Sequence, residues 1–377
     1  MATFEAKVYR LKIEPHPNAD KLELAAVGDF RTVVGKDLYK TGQLGVYVPE
    51  GALVPKWLCE KYDWKLAGPD ANRVKAIKLR GIVSQGIIVP IRDGSIVDPD
   101  WIYPDGCDGH LELEDGTETD IQIGEDVAGL LGITKYEPPI PTHMAGEVWN
   151  AFGYTLNYDI ENIKKHPDIF REDEMVLITE KLHGTWTCFG HHPGVEFPII
   201  TSKGLSGRGL AFKINDANKD NLYVRSLMNS IDKDGRNVLD RLMGEFTGGL
   251  PFYILGETYG KGVQDLTYGL TKPHFRAFDI YVGAPGEGRY LSGTEFTSVC
   301  NKAGIETVPV MYRGPFSKEK VQELTNGKDT ISGTNIREGV VIRPLVDERR
   351  DDTIGRVILK SVSDAYLLRK GEVTEFN

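Results

Sequence analysis

A lysine in the middle of the chain is followed by three motifs that join acidic residues or a second lysine to apolar runs. Lys181 lies in EKLHGT (residues 180–185), and the later motifs are LGE (255–257), REGVVI (337–342) and VILK (357–360). A lysine amine attacks phosphorus only when it is neutral, and a nearby cation or removal from water favours the neutral form. The four motifs together therefore predict a pocket in which Lys181 attacks the α-phosphorus of a nucleoside triphosphate.

Two carboxylates and a second lysine are the candidates for holding that nucleotide. Glu257 ends an apolar run beside Gly256, where a ligand can approach the backbone closely, so it suits a ribose hydroxyl or a metal ion. Glu338 precedes the apolar run 339–342 and suits a metal ion near the triphosphate. Lys360 follows an apolar run, and we expect it to place positive charge on the α-phosphate as charge develops there.

An aromatic residue is the candidate for the nucleobase. Phe278 lies in FRAFDI (residues 275–280), whose alternation predicts a strand. Because neighbouring residues of a strand point to opposite faces, we expect Phe278 to stack on a purine ring while Asp279 points the other way. A place in the hydrophobic core is the alternative interpretation of Phe278.

The elements that must position these residues lie in the second part of the chain. From about residue 150 onward, apolar alternation and helical spacing predict an α+β domain of antiparallel sheets flanked by helices. The predicted strands are 175–179, 186–190, 252–257, 275–282 and 339–343, and the predicted helices are 162–170 and 221–242.

The first third of the chain has a different pattern, with short strands separated by turn residues, which is typical of a small barrel. The predicted strands are 7–13, 22–27, 31–34, 45–47, 73–79 and 86–89. The acidic, Gly/Pro-rich residues 93–120 indicate an exposed loop or hairpin insertion, and the prolines at 138, 139 and 141 indicate a boundary. We predict a domain at 1–137, a linker at 138–149 and a second domain at 150–377.

The charge balance restricts the partners. A net charge of −10 argues against general binding to polyanions, so any nucleic-acid site must be a local basic strip such as RVKAIKLR (residues 73–80). A solvated strand face explains that strip equally well. The four scattered cysteines read as free thiols, and neither a signal peptide nor a membrane-spanning run is evident, so we expect a cytoplasmic protein without a membrane partner.

The motifs of the second part, from about residue 150 to 368, jointly resemble the covalent nucleotidyltransferase superfamily of polynucleotide ligases and RNA capping enzymes. With histidine at position 183, the string KLHG (181–184) resembles the corresponding motif of the nick-sealing RNA ligases. TSKG (201–204) resembles their motif Ia, with Lys203 or Arg208 as its basic residue. HPNADKL (16–22) resembles an OB-fold tRNA-binding module. An N-terminal OB domain joined to a ligase domain resembles the RNA ligase family typified by the Deinococcus enzyme.

This resemblance implies an N-terminal OB-fold β-barrel followed by an ATP-grasp-like ligase adenylation domain. It implies ATP, held as covalent AMP on Lys181, together with Mg²⁺ or Mn²⁺ at Glu257 and Glu338, and catalytic roles for Lys181 and Lys360. The family's last motif has two lysines where this chain has Lys360 alone, so which role Lys360 fills stays open. The residues expected to contact the nucleotide are Glu180, Lys181, Leu182, Lys203, Glu257, Phe278, Val340 and Lys360.

The predicted function is that of an ATP-dependent RNA ligase, which seals 3′-hydroxyl/5′-phosphate breaks through a lysyl-AMP intermediate and an adenylylated RNA 5′ end. Its expected partner is RNA, as a nicked duplex or an RNA-containing hybrid, and we expect a monomer. The alternatives are an ATP-dependent DNA ligase, a GTP-using guanylyltransferase of the capping type, and a non-catalytic RNA-binding protein with an OB fold.

Overall fold

The fold is described from a computed structural model that covers residues 4–91, 108–137, 142–346 and 348–369. Short antiparallel sheets form an N-terminal body with the predicted OB-fold β-barrel, and two five-stranded sheets dominate the C-terminal body. Among the residues described, none of the helices combines the length and apolar character that crossing a membrane requires.

The N-terminal body buries two apolar cores beneath sheets of order β1-β5-β9 and β2-β3-β4. Its strands are β1 (Lys7–Arg10), β2 (Lys12–Pro15), β3 (Leu22–Val27), β4 (Phe30–Gly35), β5 (Leu44–Val48), β6 (Ala52–Leu53), β7 (Ile77–Leu79), β8 (Ile82–Ser84), β9 (Ile87–Pro90), β10 (Gly109–Glu112), β11 (Glu118–Ile121) and β12 (Thr134–Lys135), and its helices are α1 (Lys56–Lys61) and α2 (Ala128–Leu131).

Two predicted strands of this body differ from the structure. The run 7–13 is two strands, because Leu11 is buried and its N–H donates to the Gln43 carbonyl at 2.8 Å instead of continuing one ladder. The run 73–79 is a strand only from Ile77 onward. Of the predicted acidic insertion, residues 108–121 lie in and around the β10–β11 hairpin, and residues 93–107 lie outside the part described.

The C-terminal body contains every strand that was predicted to carry chemistry. Its strands are β13 (Val148–Asn150), β14 (Glu161–Asn162), β15 (Met175–Lys181), β16 (Gly184–His191), β17 (Ile199–Ser202), β18 (Leu210–Phe212), β19 (Phe252–Gly260), β20 (Pro273–Val282), β21 (Arg289–Tyr290), β22 (Val310–Pro315), β23 (Gly339–Pro344), β24 (Arg350–Asp351), β25 (Gly355–Arg356) and β26 (Leu359–Val362). Its helices are α3 (Lys203–Ser206), α4 (Leu222–Asn229), α5 (Val238–Met243), α6 (Gly293–Lys302), α7 (Lys318–Thr325) and α8 (Asp364–Leu367).

These strands form two principal sheets. The sheet of order β14-β26-β23-β15-β22 contains Lys181 and is called the lysine sheet, and the sheet of order β17-β16-β19-β20-β21 is called the aromatic sheet. β13 pairs with β18, so the end of the predicted linker belongs structurally to this body. Residues 138–141 of that linker lie outside the part described.

Both helices predicted for this body were wrong in extent. Over 162–170 the structure has only a single 3₁₀ turn at Ile163–Lys165, because Pro167 lacks an N–H and disfavours helical geometry at His166. Over 221–242 the chain forms α4 and α5, separated by a turn in which Gly235 has a φ of 78°. Each helix begins at an asparagine whose side chain accepts N–H groups of the first turn, so the second start was hidden within one helical pattern.

A buried ion pair joins the two sheets face to face. Asp279 of β20 is fully buried, and Arg343 of β23 donates to its Oδ1 at 3.0 Å. Arg356 also donates to Asp279, and the Tyr158 hydroxyl donates to Oδ2 at 3.2 Å. A buried charge is tolerated only when it is paired, so this cluster holds the lysine sheet against the aromatic sheet.

The barrel contacts the C-terminal body beside α8. The Lys164 carbonyl accepts from the Asp29 N–H at 3.1 Å, and the Lys164 ammonium donates to Gln85 Oε1 at 2.6 Å. The same ammonium lies 3.3 Å from Asp364 Oδ1, at the start of α8. Lys164 therefore ties the barrel to the short helix that follows β26.

Candidate active site

The centre of the site is a contact between a lysine and a buried glutamate. The Lys181 ammonium donates to Glu338 Oε1 at 2.6 Å, and only 1% of the Glu338 side chain is exposed. Lys181 ends β15 opposite Gly339 of β23. A Cβ at Gly339 would lie 2.0 Å from the Ser361 carbonyl oxygen, so only glycine allows β23 and β26 to approach closely here. The pairing of β15 with β23 thus brings Lys181 and Glu338, which are 157 positions apart in sequence, into hydrogen-bonding contact.

Strand register decides which residues share the face of Lys181. Lys181 lies opposite Gly339 of β23. Val341 is two residues further along β23 and lies opposite Lys360 of β26. Directly opposed residues of antiparallel strands point to the same face, so Lys181, Val341 and Lys360 share one side of the lysine sheet. Lys360 is 7% exposed, whereas Val341 is half-buried.

Val340, a predicted nucleotide contact, is placed on the opposite side of the sheet. It is fully buried in an apolar core with Ile178, Ile342 and Leu359. The structure therefore does not bring the Val340 side chain to the face of Lys181, and it brings Val341 there instead. Alternation along the strand predicts that Val341 and Arg343 point to the same face and that Val340 points to the other. The sequence does not show which of these faces contains Lys181, because that depends on the register of β23 with β15.

The two residues that flank Lys181 also turn away from it. Glu180 is 1% exposed and its Oε2 accepts from the Thr330 N–H at 2.9 Å. Burial raises the pKa of the Glu180 carboxyl above its ordinary value, although the bonds from Thr330 favour the charged form. Leu182 is buried in an apolar cluster with Tyr259 and Tyr268. The side chains of Glu180 and Leu182, both predicted nucleotide contacts, thus anchor β15 in the protein interior.

A buried histidine connects the lysine–glutamate pair to two distant segments. The His183 ring is fully buried, with Nε2 at 2.7 Å from Asp265 Oδ1 and Nδ1 at 2.9 Å from the Tyr366 hydroxyl. The two ring nitrogens thus bond to a carboxylate and to a hydroxyl, which fixes the orientation of the imidazole. Nδ1 also lies 3.5 Å from Glu338 Oε2. Asp265 and Tyr366 were missed by the sequence reasoning, because neither stands in a recognisable motif and both are remote in sequence.

On the aromatic sheet, Glu257 lies opposite Trp186 and shares its face. Gly184 allows the strands to approach here, since a Cβ on it would lie 2.3 Å from the Thr258 carbonyl oxygen and 3.0 Å from Glu257 Cγ. The pKa of the Tyr268 hydroxyl is raised above its ordinary value mainly by burial. The negative charges of Glu338, Glu180 and Glu257 raise it further.

A β-bulge corrects the predicted orientation of Phe278. The register of β19 and β20 shifts at Leu255, so that Leu255 lies opposite Asp279 and Gly256 lies opposite Ala277. Phe278 is the extra residue, and its ring lies 5.4 Å from the ring of Tyr158, whose hydroxyl bonds to Asp279. The expectation that Phe278 and Asp279 point in opposite directions was wrong, because a bulge interrupts the alternation. Phe278 is half-buried and lies beside the ion cluster of Asp279 that joins the two sheets.

The two candidates for the remaining basic contact lie near the edge of the aromatic sheet. Lys203 begins α3, its side chain is 55% exposed, and its ammonium lies 3.0 Å from Asp159 Oδ1. Arg208 is exposed and its Nε donates to the Gly204 carbonyl at 3.3 Å. Asp159 follows Tyr158, the residue that contacts Phe278, so Lys203 is linked to the aromatic side of the site.

The donor set fits a divalent cation that binds together with a nucleotide. Among the residues described, no three His, Cys, Asp or Glu side chains form a ready-made cluster for a metal ion. Mg²⁺ commonly uses one or two carboxylates and completes its shell with water and substrate phosphates. Glu257 and Glu338 carry the hard oxygen donors that such a site requires.

Two family models match the chain. An RNA ligase family model matches residues 174–362, and an OB-fold domain model matches residues 6–91. No curated protein sequence matches the chain.

Several solved structures of the Naegleria gruberi RNA ligase share the fold. A lysine-to-alanine mutant with ATP and Mn has a TM-score of 0.73 at 21% identity, covering 96% of this chain and 98% of the other. A lysine-to-methionine mutant with AMP and Mn has a TM-score of 0.74 at 21% identity, covering 97% and 98%. The enzyme with PPi has a TM-score of 0.73 at 22% identity, with the same coverage. The family model spans half of the chain and includes Lys181, Glu338 and Lys360, so this chain belongs to the RNA ligase family.

Proposed function

We propose that this member of the RNA ligase family is an ATP-dependent enzyme of the Deinococcus type, which seals 3′-hydroxyl/5′-phosphate breaks in RNA. The observation that carries the proposal is the 2.6 Å contact between Lys181 and Glu338, on a face that also holds Lys360. The OB-fold barrel that precedes the ligase domain supports the assignment to that type.

In the first step the Lys181 amine attacks the α-phosphorus of ATP, forming a P–N bond and breaking the bond to the pyrophosphate leaving group. The amine must lose its proton to attack, and Glu338 Oε1 is within hydrogen-bonding distance to accept it. An oxygen of the RNA 5′-phosphate then attacks the phosphorus of the bound AMP, which forms a P–O–P bond, breaks the P–N bond and releases the Lys181 amine. In the last step the 3′-hydroxyl attacks that phosphate and AMP leaves.

The remaining residues hold the nucleotide from two sides. Phe278 of the aromatic sheet and Val341 of the lysine sheet are both half-buried, and they are the proposed contacts of the adenine ring. Lys360 stabilises the charge that develops on the α-phosphate, and Lys203 or Arg208 contacts ribose or phosphate.

Glu257 and Glu338 would hold Mg²⁺ or Mn²⁺. When bound, such an ion neutralises charge that builds up on phosphate oxygens. Glu338 also positions the Lys181 amine without the ion, through the hydrogen bond to its Oε1.

The proposed partner is RNA with a nick in a duplex, or an RNA-containing hybrid, acted on by a monomer in the cytoplasm. The free thiols of Cys59, Cys188 and Cys300 support a reducing compartment. The barrel lies directly beside α8, so an RNA duplex at Lys181 would have the OB domain within reach.

Transfer of label from α-labelled ATP or GTP to the denatured protein tests the function. We expect label from ATP alone, and loss of it by a factor of about 10⁴ or more in Lys181→Ala, because the nucleophile is removed. Lys320→Ala, at a half-buried surface lysine paired with Glu323, is the matched control and should label normally. Label from GTP alone would indicate a capping-type enzyme, and labelling of Lys181→Ala would disprove the assignment of the nucleophile.

The strand that is sealed is tested separately. A nick with a ribose 3′-terminus should be joined with ATP and a divalent metal ion. Joining only of a deoxyribose 3′-terminus would indicate a DNA ligase instead.

A further inference from the structure

The β7–β8 hairpin of the barrel carries two exposed cations, Lys78 in β7 and Arg80 in an unusual turn. Leu79 lies opposite Ile82, so Arg80 and Gly81 form a two-residue loop. Both have positive φ, 47° for Arg80 and 93° for Gly81, which is the conformation of a type I′ turn. That turn prefers asparagine or glycine at the first position, and a long side chain there is unfavourable. Arginine therefore stands at a position where the turn alone would favour a smaller residue.

The tip of the hairpin is held rigidly by the loop after β2. The Asn18 side chain donates to the Arg80 carbonyl at 3.0 Å, and the Asn18 N–H donates to His16 Nδ1 at 3.1 Å. Because Nδ1 accepts, Nε2 carries the proton and donates to the Leu79 carbonyl at 3.3 Å. Two carbonyls of the tip are thus fixed, and the direction in which the hairpin projects is fixed with them.

The root of the same hairpin lies beside the active site. Ala76 packs against Val362, Tyr366 and Leu367, and the Tyr366 hydroxyl bonds to His183. Four residues of extended chain span at most about 13 Å, so Arg80 lies within that reach of the α8 surface. A duplex whose break lies at Lys181 would pass this hairpin.

The charges on the hairpin are available to a polyanion. Lys78 and Arg80 are exposed, and neither has a carboxylate partner among the residues described. In a chain with a net charge of −10, unpaired cations beside the site form the local basic strip that nucleic-acid binding needs.

We propose that the β7–β8 hairpin binds the phosphate backbone of duplex RNA next to the break, through Lys78 and Arg80. This inference rests on the proposed function for its substrate. The proposal assigns RNA binding to only part of the basic strip predicted at residues 73–80. Arg73 is left out, because its guanidinium stacks over the Tyr136 ring at 4.2 Å and it lies outside strand β7.

Binding of a fluorescent nicked RNA duplex with a 5′-phosphate, in EDTA without ATP, tests the inference by anisotropy across a range of salt concentrations. Arg80→Asn removes the charge while placing the favoured residue in the turn, so the hairpin is kept or stabilised. We expect Arg80→Asn and Lys78→Gln each to weaken binding about tenfold near 0.1 M salt and to lower the salt slope by about one. Lys233→Gln, in the turn between α4 and α5, is the matched control and should bind like the wild type.

Three comparisons decide the outcome. Arg80→Lys keeps the charge and should bind nearly normally, which separates electrostatics from turn geometry. Wild-type affinity and salt slope in both Arg80→Asn and Lys78→Gln would overturn the proposal. Transfer of label from ATP should be unchanged in all hairpin variants, and its loss in them would also overturn a role confined to RNA.

The same measurements distinguish this inference from the proposed function. If wild-type protein takes no label from ATP but the hairpin variants still weaken RNA binding, the ligase proposal fails and the RNA surface stands. If labelling is normal and RNA binding is insensitive to the variants, the hairpin proposal fails alone.

Discussion

The lysine sheet and the aromatic sheet contribute opposite kinds of surface to one site. The lysine sheet presents Lys181, Lys360 and the nearby Glu338, whose charges suit phosphate chemistry. The aromatic sheet presents Trp186 and Phe278 together with Glu257, which suits a base and a ribose. In the proposed function, reaction and recognition therefore fall on separate sheets, and their alignment depends on the ion cluster at Asp279 that joins the sheets.

That joint is an ion cluster, and it explains why the two surfaces stay in register. Asp279 is bound by Arg343 from the lysine sheet and lies next to Phe278 in sequence. The bulge at Phe278 places the aromatic ring and the ion-pairing carboxylate on the same side. Each sheet can therefore be disturbed separately, and so can the joint.

The largest effect should come from disabling the lysine sheet. Glu338→Gln keeps the shape of the side chain but removes the proton acceptor, and we expect the rate of label transfer from ATP to fall about 10³-fold. The exposed control Glu245→Gln should react normally. A rate within a few fold of the wild type would show that Glu338 is not the acceptor.

Breaking the joint should reduce stability. Asp279→Asn leaves the buried Arg343 without a charged partner, while Arg356 keeps only its pair with Glu348. We expect the free energy of unfolding in urea titrations to fall by about 3–5 kcal/mol. Glu323→Gln, at an exposed pair, should cost less than about 1 kcal/mol. Equal losses in the two variants would argue against the joint.

Disabling the aromatic sheet should alter recognition rather than chemistry. Phe278→Ala removes a stacking surface worth roughly 1–3 kcal/mol, so the ATP concentration for half-maximal labelling should rise about tenfold. The rate at saturating ATP should change little. An unchanged half-maximal concentration would assign Phe278 to the core.

The smallest effects compare two neighbours on one strand. Val341→Ala should raise the half-maximal ATP concentration about three- to fivefold with little loss of stability, because its side chain shares the face of Lys181. Val340→Ala should lower stability by about 2 kcal/mol and leave that concentration unchanged, because its side chain is in the core. The reverse pattern would mean that the register of β15 and β23 is wrong.

Local sequence determined the nature of the chemistry and most of the strands. The string around Lys181 and the later motifs predicted a nucleophile, two carboxylates and Lys360, because each lies at a strand end or in a strand with strong apolar alternation. Short strands with frequent turn residues likewise predicted the barrel. These features depend on neighbours in sequence, so the sequence alone reveals them.

Tertiary structure decided which faces meet. Alternation shows that Val340 and Val341 point in opposite directions, but the choice between them depends on pairing with β15, more than 150 residues earlier. The bulge at Phe278 and the bonds from Asp265 and Tyr366 to His183 are likewise set by packing between remote segments. Sequence periodicity carries no information on register between distant strands, because register is fixed by the combined packing of both faces.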